Sequence, residues 1–173
     1  MTQLHFPEPA LSLIGRIAAE LIARKYTLGT AESCTGGMAA AMCTALPGSS
    51  AWFAGSVVSY ANLVKESLLH VPQETLRENG AVSAEVVEAM ARGALDTLSV
   101  NVALAVSGIA GPDGGSPDKP VGTVWIAAAI KEEAGAARER DIRLRSGLHV
   151  FPGNRGEVRY AASLAAFTLV LSL

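Results

Sequence analysis

Residues 26–46 read YTLGTAESCTGGMAAAMCTAL, and the fold class can be inferred from this stretch. Residues 26–31 have the composition of a short strand, residues 32–37 are small and polar, and residues 38–46 form an alanine-rich run with high helix propensity. A strand that enters a helix through a small-residue turn is typical of α/β proteins. Ligands of such folds bind beyond the carboxyl ends of the strands, so this turn is the first candidate site.

The rest of the chain alternates between helical and strand patterns in the same way. Helices are predicted at residues 10–25, 62–69, 72–79, 83–98 and 157–171, and further strands at 55–60, 102–106, 121–130 and 138–145. Five strands separated mostly by helices predict a three-layer α/β/α sandwich. The last two strands are joined only by a short polar connection at 132–137, so one of them must run antiparallel. The predicted five-stranded sheet is therefore mixed and mostly parallel.

Length, charge and apolar segments limit the class of protein. The 173 residues fit a single domain covering residues 1–173. A net charge of -2 lacks the positive field of proteins dedicated to nucleic acids or anionic membranes. Residues 1–7 lack the pattern of a secretory signal, and the apolar C-terminal segment is too short to cross a bilayer. These features predict a cytoplasmic protein that binds neither nucleic acid nor membrane.

The cysteines and histidines show no metal-binding spacing. Cys34 and Cys43 form no CxxC pair, and the three histidines lie far apart in the sequence. We therefore predict neither a metal nor a cofactor. The alanine-rich helices are compatible with a homo-oligomer, although packing against the sheet explains them equally well.

The turn at 32–37 has the chemistry of an anion site. Its consecutive backbone amides and the hydroxyls of Ser33 and Thr35 suit a phosphate or a developing oxyanion. A turn that needs Gly36 and Gly37 only for their backbone conformation is an equally good interpretation. Glu32 is a general base, a hydrogen-bond partner for a ligand, or an acid stabilised by the following helix, and we favour the orienting roles.

Lys65 stands alone in an apolar helix, five residues after Tyr60. Burial lowers the pKa of a lysine, and a neutral amine can take the proton of a serine hydroxyl. Ser33 and Ser50 are the candidate nucleophiles. The alternative is a lysine that extends along the helix to solvent. Cys34, at a predicted helix N-terminus, is expected to have a lowered pKa and is a rival nucleophile.

Residues 107–120 contain four glycines and three prolines and are predicted to form a long shaped loop. The spacing of its glycines resembles a dinucleotide fingerprint only superficially, because a strand rather than a helix follows. Arg155 and Arg159, in the first turn of the last predicted helix, can hold a phosphate through bidentate bonds or can simply be solvated.

Six segments together resemble the C-terminal domain of the competence-damage-inducible protein family, CinA. They are AESCTGG at 31–37, PGSSAWF at 47–53, YAN at 60–62 with Lys65, GAVS at 80–83, SGIAGPDGG at 107–115 and KPVGTV at 119–124. The resemblance covers almost the whole chain in order. It implies a three-layer sandwich and a metal-independent amidohydrolase that converts nicotinamide mononucleotide and water to nicotinate mononucleotide and ammonia, a salvage step in pyridine-nucleotide recycling.

The resemblance also implies a serine and a lysine as catalytic residues. The lysine is Lys65, with Tyr60 beside it, and the serine is Ser33 or Ser50. If the second strand is parallel to the first, Ser33 and Lys65 lie at the same edge of the sheet, whereas Ser50 starts the strand at the other end. A short helical turn or a partner subunit would be needed to bring Ser50 close to Lys65.

The substrate is expected to contact the turn at 32–37 and the long loop. The expected substrate-binding residues are Glu32, Thr35, Gly36, Gly37, Ser107, Gly108, Gly111, Gly114, Gly115 and Arg155. Larger family members carry a further N-terminal domain, so the resemblance implies the stand-alone form. Since fold alone does not determine activity, a regulatory module that binds a nucleotide without chemistry is the alternative function.

Overall fold

The computed structural model describes residues 6–131 and 142–173. The predicted connection at 132–137 and the first four residues of the strand predicted at 138–145 lie outside the described residues.

The chain forms six α-helices and five β-strands within the described ranges. In order they are α1 (Glu8–Arg24), β1 (Leu28–Glu32), α2 (Met38–Thr44), β2 (Phe53–Val58), α3 (Asn62–Leu69), α4 (Gln73–Asn79), α5 (Ala84–Thr97), β3 (Val102–Gly108), β4 (Thr123–Lys131), β5 (Ile142–Val150) and α6 (Arg155–Val170). A single 3-10 turn, Ser49–Ala51, precedes β2.

The five strands form one mixed sheet in the order β2-β1-β3-β4-β5. β1 pairs in parallel with both β2 and β3, whereas β4 runs antiparallel to its neighbours β3 and β5. Four of the five strands therefore point in one direction, which confirms the predicted mixed and mostly parallel sheet. The central strand β3 is buried along Val102–Ser107, as its uninterrupted apolar sequence predicts.

Every strand differs from its predicted bounds at one end or both, by one to two residues in β1, β3 and β4. β5 continues to Val150 rather than ending at residue 145, because it pairs with β4 as far as Thr123. Residues 146–150 lack a clean apolar alternation, so backbone pairing with a long neighbour extends this strand. β2 begins at Phe53 and ends at Val58, two residues earlier at each end than predicted, and this leaves Ser59 and Tyr60 in the turn that follows.

Helices cover both faces of the sheet, which confirms the three-layer sandwich. On one face, α1, α2 and α6 enclose a core that includes Ile14, Met42, Leu104 and Phe167. On the other face, α5 packs on the sheet with Leu69 of α3 and Leu76 of α4. No helix in the described ranges is both long and apolar enough to cross a membrane.

The topology brings three strand ends to one edge of the sheet. Glu32 of β1 is in register with Val58 of β2 and with Val106 of β3, so β1 and β2 end at the same level and β3 ends two residues later, at Gly108. The connection after β1 crosses one face through α2, whereas the connection after β2 crosses the other face through α3, α4 and α5. Such a switch in direction opens a crevice between the loops. The residues that follow these strand ends line it.

Candidate active site

Lys65 and Ser33 meet at this edge of the sheet. Ser33 directly follows β1, and its main-chain N–H donates to the Val106 carbonyl at 2.9 Å, which ties it to the end of β3. Lys65 lies in the first turns of α3, and its Nζ is 3.2 Å from Ser33 Oγ. The structure thus confirms that these two side chains share one edge, as parallel strands require.

The amine of Lys65 is held in a nearly dry position. Its side chain is 1% exposed, and Nζ donates to the carbonyls of Ser59 at 2.8 Å and Tyr60 at 3.4 Å. No carboxylate forms an ion pair with it within residues 6–131 and 142–173. Burial therefore lowers the pKa of Lys65 below its ordinary value of 10.5.

The three contacts of Nζ fit an ammonium that donates to all three oxygens, and they equally fit a neutral amine. Such an amine has two N–H donors and one lone pair, so it can donate to both carbonyls and accept the proton of Ser33 Oγ–H. A lysine that reaches solvent, the alternative interpretation of Lys65, is wrong for this fold.

Glu32 serves as an internal cap for α2. Its carboxylate is fully buried and accepts hydrogen bonds from the main-chain N–H groups of Gly37, Ala39 and Ala40 at 2.9 to 3.2 Å. The hydroxyls of Thr30 and Ser56 donate to the same carboxylate. Both oxygens are engaged inside the protein, so of the three predicted roles the structure supports the acid stabilised by the following helix.

The glycines of the turn use their amides within the protein. Gly37 N–H donates to Glu32, and Gly36 N–H donates to the Ser33 carbonyl at 3.1 Å. Both glycines have positive φ, which a side chain would disfavour. By contrast, no other residue in the described part of the chain accepts a hydrogen bond from the N–H groups of Cys34 and Thr35, and the Cys34 N–H lies against its own thiol. These two amides, directly after Ser33, are the ones left for an anion.

The hydroxyl of Thr35 is buried without a hydrogen-bond partner among the described residues. A buried hydroxyl of this kind is costly unless a water or a ligand pairs with it. The carbonyl of Thr35 instead accepts from Arg159, through Nε at 3.1 Å and Nη2 at 2.7 Å. The Arg159 guanidinium thus binds the backbone of the turn, whereas the sequence analysis considered it as a phosphate ligand.

Arg155 links three elements across the crevice. Its Nη1 donates to the Gly111 carbonyl at 2.8 Å and its Nη2 donates to the Tyr60 hydroxyl at 3.0 Å. Tyr60 is 61% exposed, so this bridge lies at the surface of the site. The structure therefore brings Tyr60, Arg155 and the long loop together, beside the Tyr60 carbonyl that contacts Lys65.

The long loop is anchored at both ends. Ser107 is buried and donates to the Ala81 carbonyl at 2.6 Å, while Lys119 Nζ donates to the Val82 carbonyl at 2.7 Å. Gly108 lies so close to β4 that a Cβ there would meet the Thr123 carbonyl oxygen at 2.7 Å. Gly114 and Gly115, farther along, are exposed at the loop tip. The loop is shaped by these contacts and reaches the crevice through Gly111.

Ser50 lies at the opposite edge of the sheet in this chain. It is exposed in the 3-10 turn before β2, whereas Lys65 follows the other end of that strand. The six residues of β2 span about 20 Å, so the two side chains cannot meet within one chain. The short helical turn before β2 therefore does not bring Ser50 close to Lys65.

The prediction of a reactive Cys34 is wrong. Its side chain is 6% exposed, and burial raises the pKa of the thiol to about 11. The Glu32 carboxylate raises the pKa further, and the positive charges of Arg155 and Arg159 only partly oppose this. Although Cys34 lies near the start of a helix, the loss of hydration on burial outweighs the helix dipole.

We expect native protein to resist alkylation at both cysteines by iodoacetamide at pH 8. An increase in the thiol pKa from 9.0 to about 11 lowers the thiolate fraction of Cys34 about 100-fold. Burial likewise raises the pKa of Cys43. Mass spectrometry of treated protein measures the labelling, with urea-unfolded protein as the fully labelled control. Rapid native labelling of Cys34 would contradict this environment.

Two contacts at the site were missed from the sequence. Ser59 supplies the shorter carbonyl contact to Lys65, and its buried hydroxyl has no partner among the described residues. A signal for this contact exists, because helical side chains point toward the N-terminus of the helix and Lys65 should therefore meet the residues before α3. The contact of Arg159 with Thr35 has no such signal, because the two are 124 residues apart. Within residues 6–131 and 142–173, no His, Cys, Asp and Glu side chains gather into a possible metal site.

Comparison with protein families matches residues 11–173 to the CinA C-terminal domain. The chain is 54% identical over 140 residues to a CinA-like protein of Geobacter metallireducens, and 41% identical over 170 residues to one of Leptospira interrogans. These alignments cover 81% and 98% of this chain but only 32% and 38% of those proteins. The chain thus spans about a third of the length of these relatives.

Solved structures with the same fold cover nearly the whole chain. The competence/damage inducible protein CihA of Agrobacterium tumefaciens is 36% identical, with a TM-score of 0.87 and coverage of 99% of this chain and 98% of that chain. The competence damage-inducible protein A of Klebsiella pneumoniae is 34% identical, with a TM-score of 0.84 and coverage of 94% and 95%. The fold and most of its elements are therefore shared with these two proteins.

Proposed function

Because this chain belongs to the CinA C-terminal domain family, we propose that it is an amidohydrolase that deamidates nicotinamide mononucleotide. The reaction converts this nucleotide and water to nicotinate mononucleotide and ammonia, which serves pyridine-nucleotide salvage. One observation carries the proposal: the amine of Lys65, buried and free of carboxylates in the described ranges, lies 3.2 Å from Ser33 Oγ. This distance and this protonation bias are what a serine-lysine hydrolase requires.

In the acylation half of the reaction, neutral Lys65 accepts the proton of Ser33 Oγ–H while Oγ attacks the carboxamide carbon. The carbonyl oxygen becomes an oxyanion, which can bind the N–H groups of Cys34 and Thr35, since no other residue of the described ranges accepts from them. The Lys65 ammonium then donates its proton to the amide nitrogen. Cleavage of the C–N bond releases ammonia and leaves an ester on Ser33.

In the second half, water replaces ammonia. Lys65 is neutral again after it has protonated the leaving group, so it can accept a proton from the water that attacks the ester carbon. The proton then passes from Lys65 to Ser33 Oγ as the C–O bond to the enzyme breaks. The acid is released, and both side chains return to the hydrogen-bonded state seen in the structure.

A negatively charged nucleotide suits the positive charge of this edge. Lys119, Arg155 and Arg159 all contact neutral oxygens here, and none of the three forms an ion pair within residues 6–131 and 142–173. A protein of net charge -2 thus presents local positive potential at this site. Arg155 is exposed at the crevice and can hold the ribose phosphate, which would fix the carboxamide near Ser33.

Ammonia release from purified protein supplied with nicotinamide mononucleotide tests the function directly. The proposal requires that ammonia and nicotinate mononucleotide form in equal amounts. A coupled assay measures the ammonia, and chromatography measures the nicotinate mononucleotide. Nucleotide binding without ammonia at high protein concentration would instead support the regulatory module that performs no chemistry.

The pH dependence of kcat/KM above pH 7 reports the protonation state of Lys65. Only the neutral amine accepts the serine proton, and burial lowers its pKa below 10.5. We therefore expect log kcat/KM to rise with pH with a slope of about 1 and to reach a plateau before pH 10.5. The range above pH 7 avoids the second ionisation of the substrate phosphate, near pH 6. A rate that falls as pH rises toward 10 would contradict the role of Lys65 as the base.

A further inference from the structure

Arg159 joins the last helix to the turn that carries Ser33. It lies one turn into α6, partly buried, and its Nε and Nη2 donate to the same carbonyl oxygen, that of Thr35. Met38 N–H donates to this oxygen as well, at 3.2 Å. The N-terminus of α6 is itself fixed by a capping box between Asn154 and Glu157. The guanidinium is therefore delivered to the turn by a well-anchored helix.

Two rigid peptide units, joined by a hydrogen bond, connect the carbonyl that Arg159 binds to the amide of Cys34. The first unit carries the Thr35 carbonyl, held by Arg159, and the Gly36 N–H, which donates to the Ser33 carbonyl. The second unit carries that Ser33 carbonyl and the Cys34 N–H. Because a trans peptide is planar and its C=O and N–H point in opposite directions, tying the Ser33 carbonyl into the turn directs Cys34 N–H out of it.

We propose that Arg159 is a positioning residue that orients the Cys34 amide toward the oxyanion formed on attack by Ser33. This inference rests on the proposed amidohydrolase function and adds a residue to it. The guanidinium also adds positive charge beside the reacting atoms, as its influence on the neighbouring Cys34 thiol shows. Arg155, one turn earlier on the same helix, instead faces Tyr60 and Gly111 at the exposed rim.

The two arginines should therefore affect different kinetic constants. An amide that meets only the oxyanion contributes to the transition state and not to the bound substrate, so its displacement lowers kcat with little change in KM. We expect Arg159→Met to lower kcat about 100-fold, the cost of a small misplacement of a catalytic group, and to change KM less than about threefold. Arg155→Met should mainly raise KM, because the phosphate loses its partner.

The experiment compares wild-type protein with R159M, R159K, R155M and R92M. R92M removes the same charge from an exposed position on α5, across the sheet, and should match wild-type kinetics. R159K should lose about tenfold in kcat, because one ammonium replaces a two-point contact. Thermal unfolding establishes that each variant is folded, and calorimetric binding of nicotinate mononucleotide checks the binding site in R159M, R159K and R92M. If R159M does not fold, R159K provides the comparison.

A second readout does not depend on the nucleotide. A fluorophosphonate reacts with an activated serine through the same kind of oxyanion, so phosphonylation of Ser33 should also slow about 100-fold in R159M. Wild-type protein that is labelled at Ser33 but releases no ammonia refutes the proposed substrate, while the labelling rates still decide the role of Arg159. The role of Arg159 is overturned if R159M keeps both kcat and the labelling rate within threefold of wild type, or if R159K has wild-type kcat. Either result leaves the proposed amidohydrolase function standing. Wild-type protein that neither reacts nor is labelled overturns both.

Discussion

Lys65→Met is expected to lower kcat for ammonia release by about four orders of magnitude, or about 5 kcal/mol in the activation barrier. Methionine has a similar shape, so the buried position stays filled, but its thioether cannot accept the proton of Ser33 or return it to the leaving nitrogen. Affinity for nicotinate mononucleotide should change less than about threefold, because Lys65 contacts Ser33 and two carbonyls below the phosphate-binding rim.

A matched control separates loss of the base from loss of charge. Lys131→Met removes a lysine that is exposed at the end of β4, near Asn101 and at the opposite edge of the sheet. Its kcat should equal that of the wild type. Steady-state kinetics and calorimetry on both variants give the comparison, and a Lys65→Met protein that keeps more than a tenth of wild-type kcat would show that another group is the base.

Ser33→Ala is expected to abolish ammonia release to below about one part in ten thousand, because no oxygen remains to form the acyl-enzyme. Ser50→Ala should stay within about threefold of wild type, since Ser50 lies at the other edge of the sheet. These two variants decide between the serines that the sequence left open. Loss of activity in Ser50→Ala with activity retained in Ser33→Ala would require a site shared between two copies of the chain.

The combination of the two substitutions provides an independent check. Two groups that act as one unit give strongly non-additive losses, so Ser33→Ala with Lys65→Met should be about as slow as Ser33→Ala alone. Losses that multiply would instead indicate that Ser33 and Lys65 contribute through separate steps. Rates are measured with the same ammonia assay at high protein concentration.

Most of the fold could be predicted because it depends on local patterns. The apolar runs, the helical spacing and the turn residues identify five strands and their helices, and the short connection before the last strand predicts a mixed sheet. The strand order β2-β1-β3-β4-β5 is known only from the structure. Boundaries were less predictable. The last five residues of β5 join the sheet through hydrogen bonds to β4, a partner that composition does not reveal.

The Cys34 pKa shows where local reasoning about the site fails. Position at a helix N-terminus predicts a lowered pKa, yet burial raises it to about 11, because burial depends on what packs over the turn. The role of Glu32 could not be predicted locally either, because its sequence position is compatible with three roles. Only the fold shows that its carboxylate accepts hydrogen bonds from the main-chain amides at the start of α2.

By itself the sequence determined the fold class, the family, and the residue types that can perform the chemistry, because these are written in short-range patterns and motifs. Only the tertiary structure decided that Ser33 rather than Ser50 meets Lys65, that the amine of Lys65 is buried against two carbonyls, and that Arg159 holds the turn. The physical reason is that contacts between distant segments, and the water they exclude, depend on strand direction and packing. No stretch of the chain carries that information alone.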